Sequence, residues 1–551
     1  MTPTTMTNTT GTREERFAAF LEQLVAKLQP LELEHNREYW LLANTGEEKH
    51  LQACTRLDSE MRLMFAQRGP YEFLQGLAAA GPLADPLLQR QMKLLLDSYR
   101  SRQIPPEMIQ RQVALEKKLE GTFTNYRAQL DGAAVSDNQI LEVLVGSDDC
   151  AHRRRAWEAS KQVGGQVEAD LLELVRLRNE GARLLGFPNY YSMGLELDEL
   201  DEAELFALLD ELEKGTQPLW DAYKRDLDAR LAARFGVPAA ELMPWHYSDP
   251  FFQEAPAAEV DLDPFYAGKN LETLTSSFYA AVGFDVTDLM KLADLYERPG
   301  KNQHAFCQSM DRSGDVRVLC NNKSNEKWMG TMLHEFGHAV YDKYLDPSLP
   351  WLLRQQAHIL TTEASAMLFG RLSKNPVWLR RWVGADPAEL ARQAGPVTRA
   401  VREQLLVQTR WELVMIHMER ALYRDPGQDL RGLWWSLVRR FQGVSVPAGR
   451  KSPDWAAKIH FSIAPVYYQN YLLGEMLASQ IQEHLLTQVV GGGPDRWTRF
   501  ITEPAVGAFM RERFYGPGKR WVWRDLVTHA TGRPLESRPF VDDLAGVNGA
   551  S

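Results

Sequence analysis

The segment Thr331-Met332-Leu333-His334-Glu335-Phe336-Gly337-His338-Ala339-Val340 contains the pattern HExxH in a stretch of helical character. Residues four apart on a helix share a face, so His334 and His338 can direct two imidazoles at one metal ion. Glu335 lies beside them, where it can accept a proton from a water molecule that the metal activates. The pattern therefore predicts a helix that carries two metal ligands and a general base.

A third metal ligand is expected from a later part of the chain, because catalytic zinc sites usually have three protein ligands and one open position. We predict Glu363, which follows His338 by 25 residues in Thr361-Thr362-Glu363-Ala364-Ser365. Its small and apolar neighbours suit a buried helix face, where a carboxylate needs a cation. The alternative is a surface carboxylate on an ordinary helix. The predicted cofactor is one Zn²⁺ per chain, held by His334, His338 and Glu363.

Composition limits the remaining possibilities. The chain has 551 residues, of which 44% are hydrophobic and 25% charged, as is usual for a soluble globular protein. A net charge of -10 without any basic run argues against a nucleic-acid partner. The polar N-terminus does not look like a secretory signal, and no apolar run is long enough to span a membrane. We expect a cytoplasmic protein whose four scattered cysteines are free thiols.

Hydrophobic residues recur at helical spacing along most of the chain. Helical patterns extend from Arg153 to Leu185 and from Glu202 to about Phe235, and an earlier helix is expected to end at Pro30. The best strand signals are Ala305–Gln308 and Val316–Cys320, which flank a Gly-containing turn just before HExxH. The prediction is a mainly α protein with one catalytic domain of two interleaved lobes at residues 14–545, between tails at 1–13 and 546–551.

Further motifs give the chain a resemblance to known peptidases. HEFGH with a downstream Glu resembles the gluzincins, and two other blocks resemble the angiotensin-converting-enzyme (peptidyl-dipeptidase) family. These blocks are His304-Ala305, 30 residues before His334, and Lys458-Ile459-His460 followed by Pro465 and Tyr468-Gln469-Asn470-Tyr471. The thimet oligopeptidase and oligoendopeptidase families are next in similarity. The resemblance implies a large two-lobed helical fold with a deep central cleft and one small β-hairpin beside the HExxH helix.

The resemblance also implies roles for individual residues. Tyr471 would donate its hydroxyl to the developing oxyanion, and His460 would hydrogen-bond the substrate backbone and assist catalysis. Lys458 and Tyr468 would hold the C-terminal carboxylate of a peptide. His304 and Ala305 would pair with the substrate backbone by β-strand addition. Each residue alone also has a structural interpretation, in which the tyrosines form a buried aromatic stripe, Lys458 is a solvated charge and His460 is structural.

The chain departs from the converting-enzyme pattern at several positions. One extra residue separates His460 from the tyrosines, so the choice of Tyr468 and Tyr471 over Tyr467 rests on keeping two tyrosines three apart on one helix face. Met367 stands where the converting enzymes have an Asp that supports the zinc ligands, so that support must come from elsewhere. Asn470 replaces their chloride-binding Arg, and their Trp-x-Gln is matched at best by Trp245-His246-Tyr247.

Three functions are consistent with these observations. We favour a zinc peptidase that cuts short peptides and releases C-terminal dipeptides, acting as a monomer or homodimer. An endo-acting oligopeptidase is the second possibility, because the Tyr467-Tyr468-x-x-Tyr471 segment also permits it. The third is an inactive helical scaffold that binds peptides, against which the intact Glu335 argues. Short peptides are the expected partners, without nucleic acid or membrane.

Overall fold

The structure is a computed structural model that describes residues 11–256 and 260–547. The predicted tails, 1–13 and 546–551, lie for the most part outside the described residues. The described part is mainly helical, as predicted, and its α-helices are α1 (Arg13–Thr45), α2 (Glu48–Phe65), α3 (Arg68–Ala79), α4 (Pro86–Arg100), α5 (Pro106–Asn125), α6 (Asp137–Gly146), α7 (Cys150–Ser160), α8 (Gln162–Leu184), α9 (Tyr190–Leu197), α10 (Glu202–Phe235), α11 (Asp263–Tyr266), α12 (Leu271–Ala281), α13 (Thr287–Leu292), α14 (Glu326–Lys343), α15 (Ile359–Gly370), α16 (Pro376–Trp378), α17 (Pro387–Arg424), α18 (Leu430–Gln442), α19 (His460–Ile463), α20 (Tyr468–His484), α21 (Arg496–Phe500), α22 (Pro504–Phe509), α23 (Trp523–Thr531) and α24 (Arg538–Ala545).

Strands β1 (Ala128–Leu130) and β2 (Ala133–Val135) form a first antiparallel hairpin, and β3 (Phe306–Ser309) and β4 (Val316–Leu319) form a second. The second hairpin is the predicted one, and its register pairs Phe306 with Leu319. The cysteines at 54, 150, 307 and 320 are all free thiols in the structure.

Prolines interrupt the helices less than the sequence suggests. The expectation that the first helix ends at Pro30 is wrong, because α1 continues through this residue to Thr45. A proline inside a helix removes one hydrogen bond to the carbonyl four residues earlier. That residue is Ala26, which is exposed, so water can bond the carbonyl instead. The helical pattern predicted as one run from Arg153 to Leu185 is instead divided between two helices, α7 and α8.

Helices α14, α15 and α20 lie within the main hydrophobic core. Asn325 caps α14 by accepting a hydrogen bond from the Trp328 N–H, and Glu326 and Lys343 complement the helix dipole at its two ends. Three fully buried α14 residues belong to the same core cluster as Leu368 of α15: Leu333, Phe336 and Val340. The metal-binding pattern is therefore on a helix held rigidly by packing. No helix in the described ranges is both long and apolar enough to cross a bilayer.

Candidate metal centre and active site

The first two predicted ligands lie on one turn of α14. The ring centroids of His334 and His338 are 4.9 Å apart, and the rings are almost perpendicular. The Tyr279 hydroxyl donates a hydrogen bond of 2.7 Å to the Leu333 carbonyl, which ties α12 to this turn. Glu335, between the two histidines in sequence, is buried. The two imidazoles therefore meet on one side of a fixed helix, as the HExxH spacing predicts.

Close packing of α15 brings Glu363 to the histidines. A Cβ atom added at Gly337 would lie 2.7 Å from the Cα of Ala366, so the absence of a side chain lets α14 and α15 approach. On the other side of α15, a Cβ at Gly474 of α20 would lie 3.0 Å from the Cβ of Glu363. The Ser365 hydroxyl donates to the Gly337 carbonyl at 2.8 Å and closes the contact between the helices. Glycines on both sides thus fix the position of the helix that carries Glu363.

The three predicted ligands form one group. One potential ligand atom from each of His334, His338 and Glu363 lies within 4.8 Å of the others, and no other His, Cys, Asp or Glu in the described residues forms such a group of three. Glu363 Oε2 is 3.9 Å from His334 Nε2. Two imidazole nitrogens and a carboxylate oxygen are the donors that a catalytic zinc site uses. The donor set therefore fits a zinc ion.

Electrostatics agree with this fit. Burial lowers the pKa of His334 to about 4 and, together with the neighbouring His334, lowers the pKa of His338 well below its usual range. Burial and the charge of Glu363 raise the pKa of Glu335 to about 8. Burial and the charge of Glu475 raise the pKa of Glu363 to about 7. Both histidines are thus neutral at pH 7, with lone pairs for a metal, and two carboxylates lie close together in a site that favours a cation.

Thr362 supports a predicted zinc ligand. The sequence indicates only that this support does not come from Met367. Its Oγ1 is 2.7 Å from His338 Nδ1. When Nδ1–H donates to this hydroxyl, Nε2 is left as the ligand atom and the ring orientation is fixed. Thr362 directly precedes Glu363, so one turn of α15 provides both a predicted ligand and the partner of another predicted ligand. The sequence gives no signal for this contact, because it joins two helices through space.

Three tyrosines lie where α20 begins. The rings of Tyr467 and Tyr471 are 5.1 Å apart, and the charge of Glu363 contributes to a raised pKa of both residues, after burial. Tyr468 is buried and points towards Trp411, whose Nε1–H donates to the Tyr468 hydroxyl at 3.4 Å. Tyr467 is thus a second phenol close to the metal-site carboxylate. The predicted register of tyrosines excludes Tyr467, although the Tyr467-Tyr468 doublet in the sequence is a signal for it.

Lys458, His460 and Tyr468 are brought together around Trp411. The Lys458 ammonium lies 5.0 Å from the centre of the Trp411 ring and donates a 3.0 Å hydrogen bond to Gln253 Oε1. Burial lowers its pKa to about 8. The His460 ring packs against the Tyr468 ring at 5.0 Å, and burial, with the charge of Lys458, lowers the pKa of His460 to about 4. His460 is consequently neutral at pH 7.

His304 and Ala305 lie just before β3 rather than within it. His304 is exposed, and its backbone N–H donates to Asn302 Oδ1 at 3.0 Å. The strand that follows packs against α14. Burial, followed by the charges of Asp342 and Glu335, raises the pKa of its Cys307. Within the described residues β3 pairs with β4 alone. The predicted role of His304 and Ala305 in binding the substrate backbone stays a prediction.

A cavity of about 770 Å³ opens beside the metal group. His334 and Glu335 line it, together with Thr331 of α14, Arg371 after α15 and Gln404 of α17. Glu335, the predicted general base, therefore faces a space large enough for several side chains of a peptide.

Comparison with known proteins identifies the family. A family model described as "Peptidase family M3" matches residues 143–542, which contain every predicted site residue. The chain belongs to peptidase family M3. A second model, described as "Angiotensin-converting enzyme", matches residues 11–246 and ends before α14. Both families are zinc metallopeptidases, so the resemblance to zinc peptidases inferred from the motifs is confirmed.

Two relatives show lower similarity. The "Inactive angiotensin-converting enzyme-related protein" of Caenorhabditis elegans is 21% identical over 361 residues, which are 58% of this chain and 39% of the relative. "Carboxypeptidase 1" of Bacillus subtilis (strain 168) is 22% identical over 269 residues, which are 44% of this chain and 52% of the relative. The matches thus span about half or less of each relative's length. One of the two relatives is named inactive.

Proposed function

We propose that this M3 family member hydrolyses peptide bonds in short peptides with one zinc ion per chain and releases C-terminal dipeptides. The observation that supports the proposal most strongly is the convergence of His334, His338 and Glu363, with the separate carboxylate of Glu335 facing the adjoining cavity. A binding scaffold would need a cleft but no base beside its metal ligands.

The chain's own residues divide the chemistry between them. When bound, zinc lowers the pKa of a water molecule towards ~7, so that hydroxide is available at neutral pH. Glu335 accepts the proton and later delivers it to the leaving amine, from a buried position between the two histidines in sequence. Tyr471 donates its hydroxyl to the oxyanion, and neutral His460 hydrogen-bonds the substrate backbone.

Release of dipeptides depends on Lys458 and Tyr468 as the anchor for the substrate's terminal carboxylate. The single hydrogen bond that Lys458 Nζ makes within the described residues, to Gln253, leaves two of its three donors for a carboxylate. Tyr468 and Lys458 both contact Trp411, so the two groups lie close together. The arrangement limits the leaving fragment to the length between this anchor and the metal group.

An endo-acting oligopeptidase is the second candidate. The observation that favours it is the burial of the Lys458 ammonium against the rings of Phe251 and Trp411, at 4.9 and 5.0 Å. A lysine held by two aromatic rings and Gln253 can be structural, and cleavage then needs no free carboxylate. The cytoplasmic location and the monomeric or dimeric state remain predictions.

Mass spectrometry of the products from matched peptides separates the candidates. Each peptide is offered as the free acid and as the C-terminal amide, to the zinc-loaded wild type and to Glu335→Gln. A peptidyl-dipeptidase releases the terminal dipeptide from the free-acid peptide at least about tenfold faster than from the amidated peptide. Equal internal cleavage of both peptides indicates the endo-acting enzyme. Glu335→Gln is expected to bind zinc but to lose several orders of magnitude in turnover. No hydrolysis by the zinc-loaded wild type would favour the scaffold.

A further inference from the structure

The turn between α19 and α20 has a strained backbone. Val466 has a φ of +58°, in the left-handed region that glycine adopts easily and a β-branched residue rarely does. This turn separates His460 from Tyr467 and Tyr471. Strain of this kind persists only where the surroundings hold it in place, so contacts around the turn must stabilise this conformation.

Two buried side chains hold the turn from opposite ends. Glu419 of α17 is 2% exposed, and its Oε1 accepts a 2.8 Å hydrogen bond from the Val466 N–H. Arg178 of α8 is 3% exposed and donates to the carbonyls of Phe461 and Ser462 at 3.2 and 2.6 Å. Both ends of the turn are therefore fastened to the helical core by hydrogen bonds. Those that the Arg178 guanidinium donates are charge-assisted, which makes them about twice as strong as neutral ones.

The immediate neighbours of Val466 complete the clamp. The Gln469 side chain donates to the Val466 carbonyl at 2.6 Å, within the first turn of α20. The Val466 side chain packs against Gly194 of α9, where an added Cβ would lie 2.9 Å from its Cγ2. The N–H, the carbonyl and the side chain of Val466 are thus all fixed, and only the N–H depends on a residue from α17.

We infer that Glu419 is a positioning residue, whose hydrogen bond to Val466 holds the strained turn and thereby sets where the Tyr467 and Tyr471 hydroxyls lie relative to Glu363. Tyr467 directly follows the turn, and Tyr471 is one helical turn further. Without the bond, Val466 relaxes towards negative φ and rotates the start of α20. The inference rests on the proposed function for its kinetic consequence, but its structural consequence is independent of activity.

Variants at Glu419 and Val466 test the inference. Glu419→Ala is expected to lower kcat by roughly 10²-fold, as a displacement of about 1 Å does to catalytic groups, with KM and zinc content nearly unchanged. Glu419→Gln retains an oxygen that accepts the Val466 N–H and should recover most of kcat. Glu419→Ala/Val466→Gly should recover at least about tenfold over Glu419→Ala, because glycine adopts this φ without a clamp. Leu24→Ala, in a separate hydrophobic cluster, controls for general loss of stability.

A crystal structure of Glu419→Ala provides a readout that does not require turnover. The inference predicts that the Tyr467 and Tyr471 hydroxyls move by about 1 Å or more relative to Glu363, while α14 and α15 stay in place. Unmoved tyrosines would overturn it, as would a Glu419→Ala enzyme with wild-type kcat. A double variant no better than Glu419→Ala would do the same. If the zinc-loaded wild type hydrolyses no peptide, the proposed function fails, and the crystal structure alone decides on Glu419.

Discussion

Gly337→Ala is expected to weaken zinc binding without changing any ligand. The new Cβ would lie 2.7 Å from the Cα of Ala366 and 3.0 Å from the Ser365 carbonyl oxygen, where ordinary contacts begin at 3.4 Å. Both neighbours are backbone atoms, so α15 must move away from α14 by roughly 0.7 Å. Glu363 moves with α15, whereas His334 and His338 stay on α14. A displacement of this size exceeds the ~0.2 Å within which metal–ligand distances are usually held.

We therefore expect zinc affinity to fall by about 10- to 100-fold and the free energy of unfolding to fall by about 1–3 kcal/mol. Zinc competition with a chromophoric chelator measures the first quantity, and urea unfolding of the metal-free protein measures the second. Gly165→Ala is the matched control, because Gly165 also lies inside a helix, α8, but its added Cβ meets nothing within 4 Å. It should keep wild-type zinc affinity and gain up to about 1 kcal/mol of stability. Wild-type affinity and stability in Gly337→Ala would refute the packing argument.

Three further outcomes are expected. Thr362→Val removes the hydrogen-bond partner of His338 Nδ1 at nearly constant volume and should weaken zinc binding by about 10-fold. The same zinc competition measures this change, and an unchanged zinc affinity would contradict the role of Thr362. Tyr471→Phe should lower kcat by roughly 10²-fold in steady-state kinetics, whereas a change confined to KM would assign it to substrate binding only. Glu412, 3% exposed, has a pKa raised to about 8 by burial, so the folded state binds its proton more tightly than the unfolded state does. This carboxyl should therefore lower the free energy of unfolding by on the order of 2–4 kcal/mol as pH rises from about 4.5 to 8. In urea unfolding, Glu412→Gln should lose less stability than the wild type over this range, by about that amount. Parallel pH profiles of the two proteins would exclude Glu412 as its source.

Local rules predicted the parts of the site that one helix determines. The i, i+4 geometry of His334 and His338 follows from helix periodicity alone. Glu363 required one additional inference, that a carboxylate among small apolar residues is buried, and the structure places it at the histidines. The contact between Thr362 and His338 had no local signal, because it depends on how closely α14 and α15 pack. That distance is set by Gly337, which sequence analysis treated only as part of the HEFGH motif.

Other differences show which local signals were passed over. The hairpin of β1 and β2 turns at Asp131-Gly132, where both residues have positive φ, and an Asp-Gly pair is a strong hairpin signal. The hydrophobic pattern continues on both sides of Pro30, and this pattern, not the proline, indicates that the first helix continues past residue 30. The predicted register uses Tyr468 and Tyr471 and excludes Tyr467. In the structure, the charge of Glu363 contributes to the raised pKa of both Tyr467 and Tyr471. Spacing along the chain could not decide which of the two tyrosines lies near Glu363.

Metal analysis of Glu363→Ala is the most direct test of the zinc site. Wild type and variant are loaded with zinc, dialysed against a zinc buffer in the nanomolar range and measured by inductively coupled plasma mass spectrometry. We expect one zinc per wild-type chain and far less than one in the variant, because a buried carboxylate from α15 completes the ligand set of α14. Equal zinc retention in both proteins, or none in the wild type, would contradict the assignment of His334, His338 and Glu363 as a catalytic metal centre.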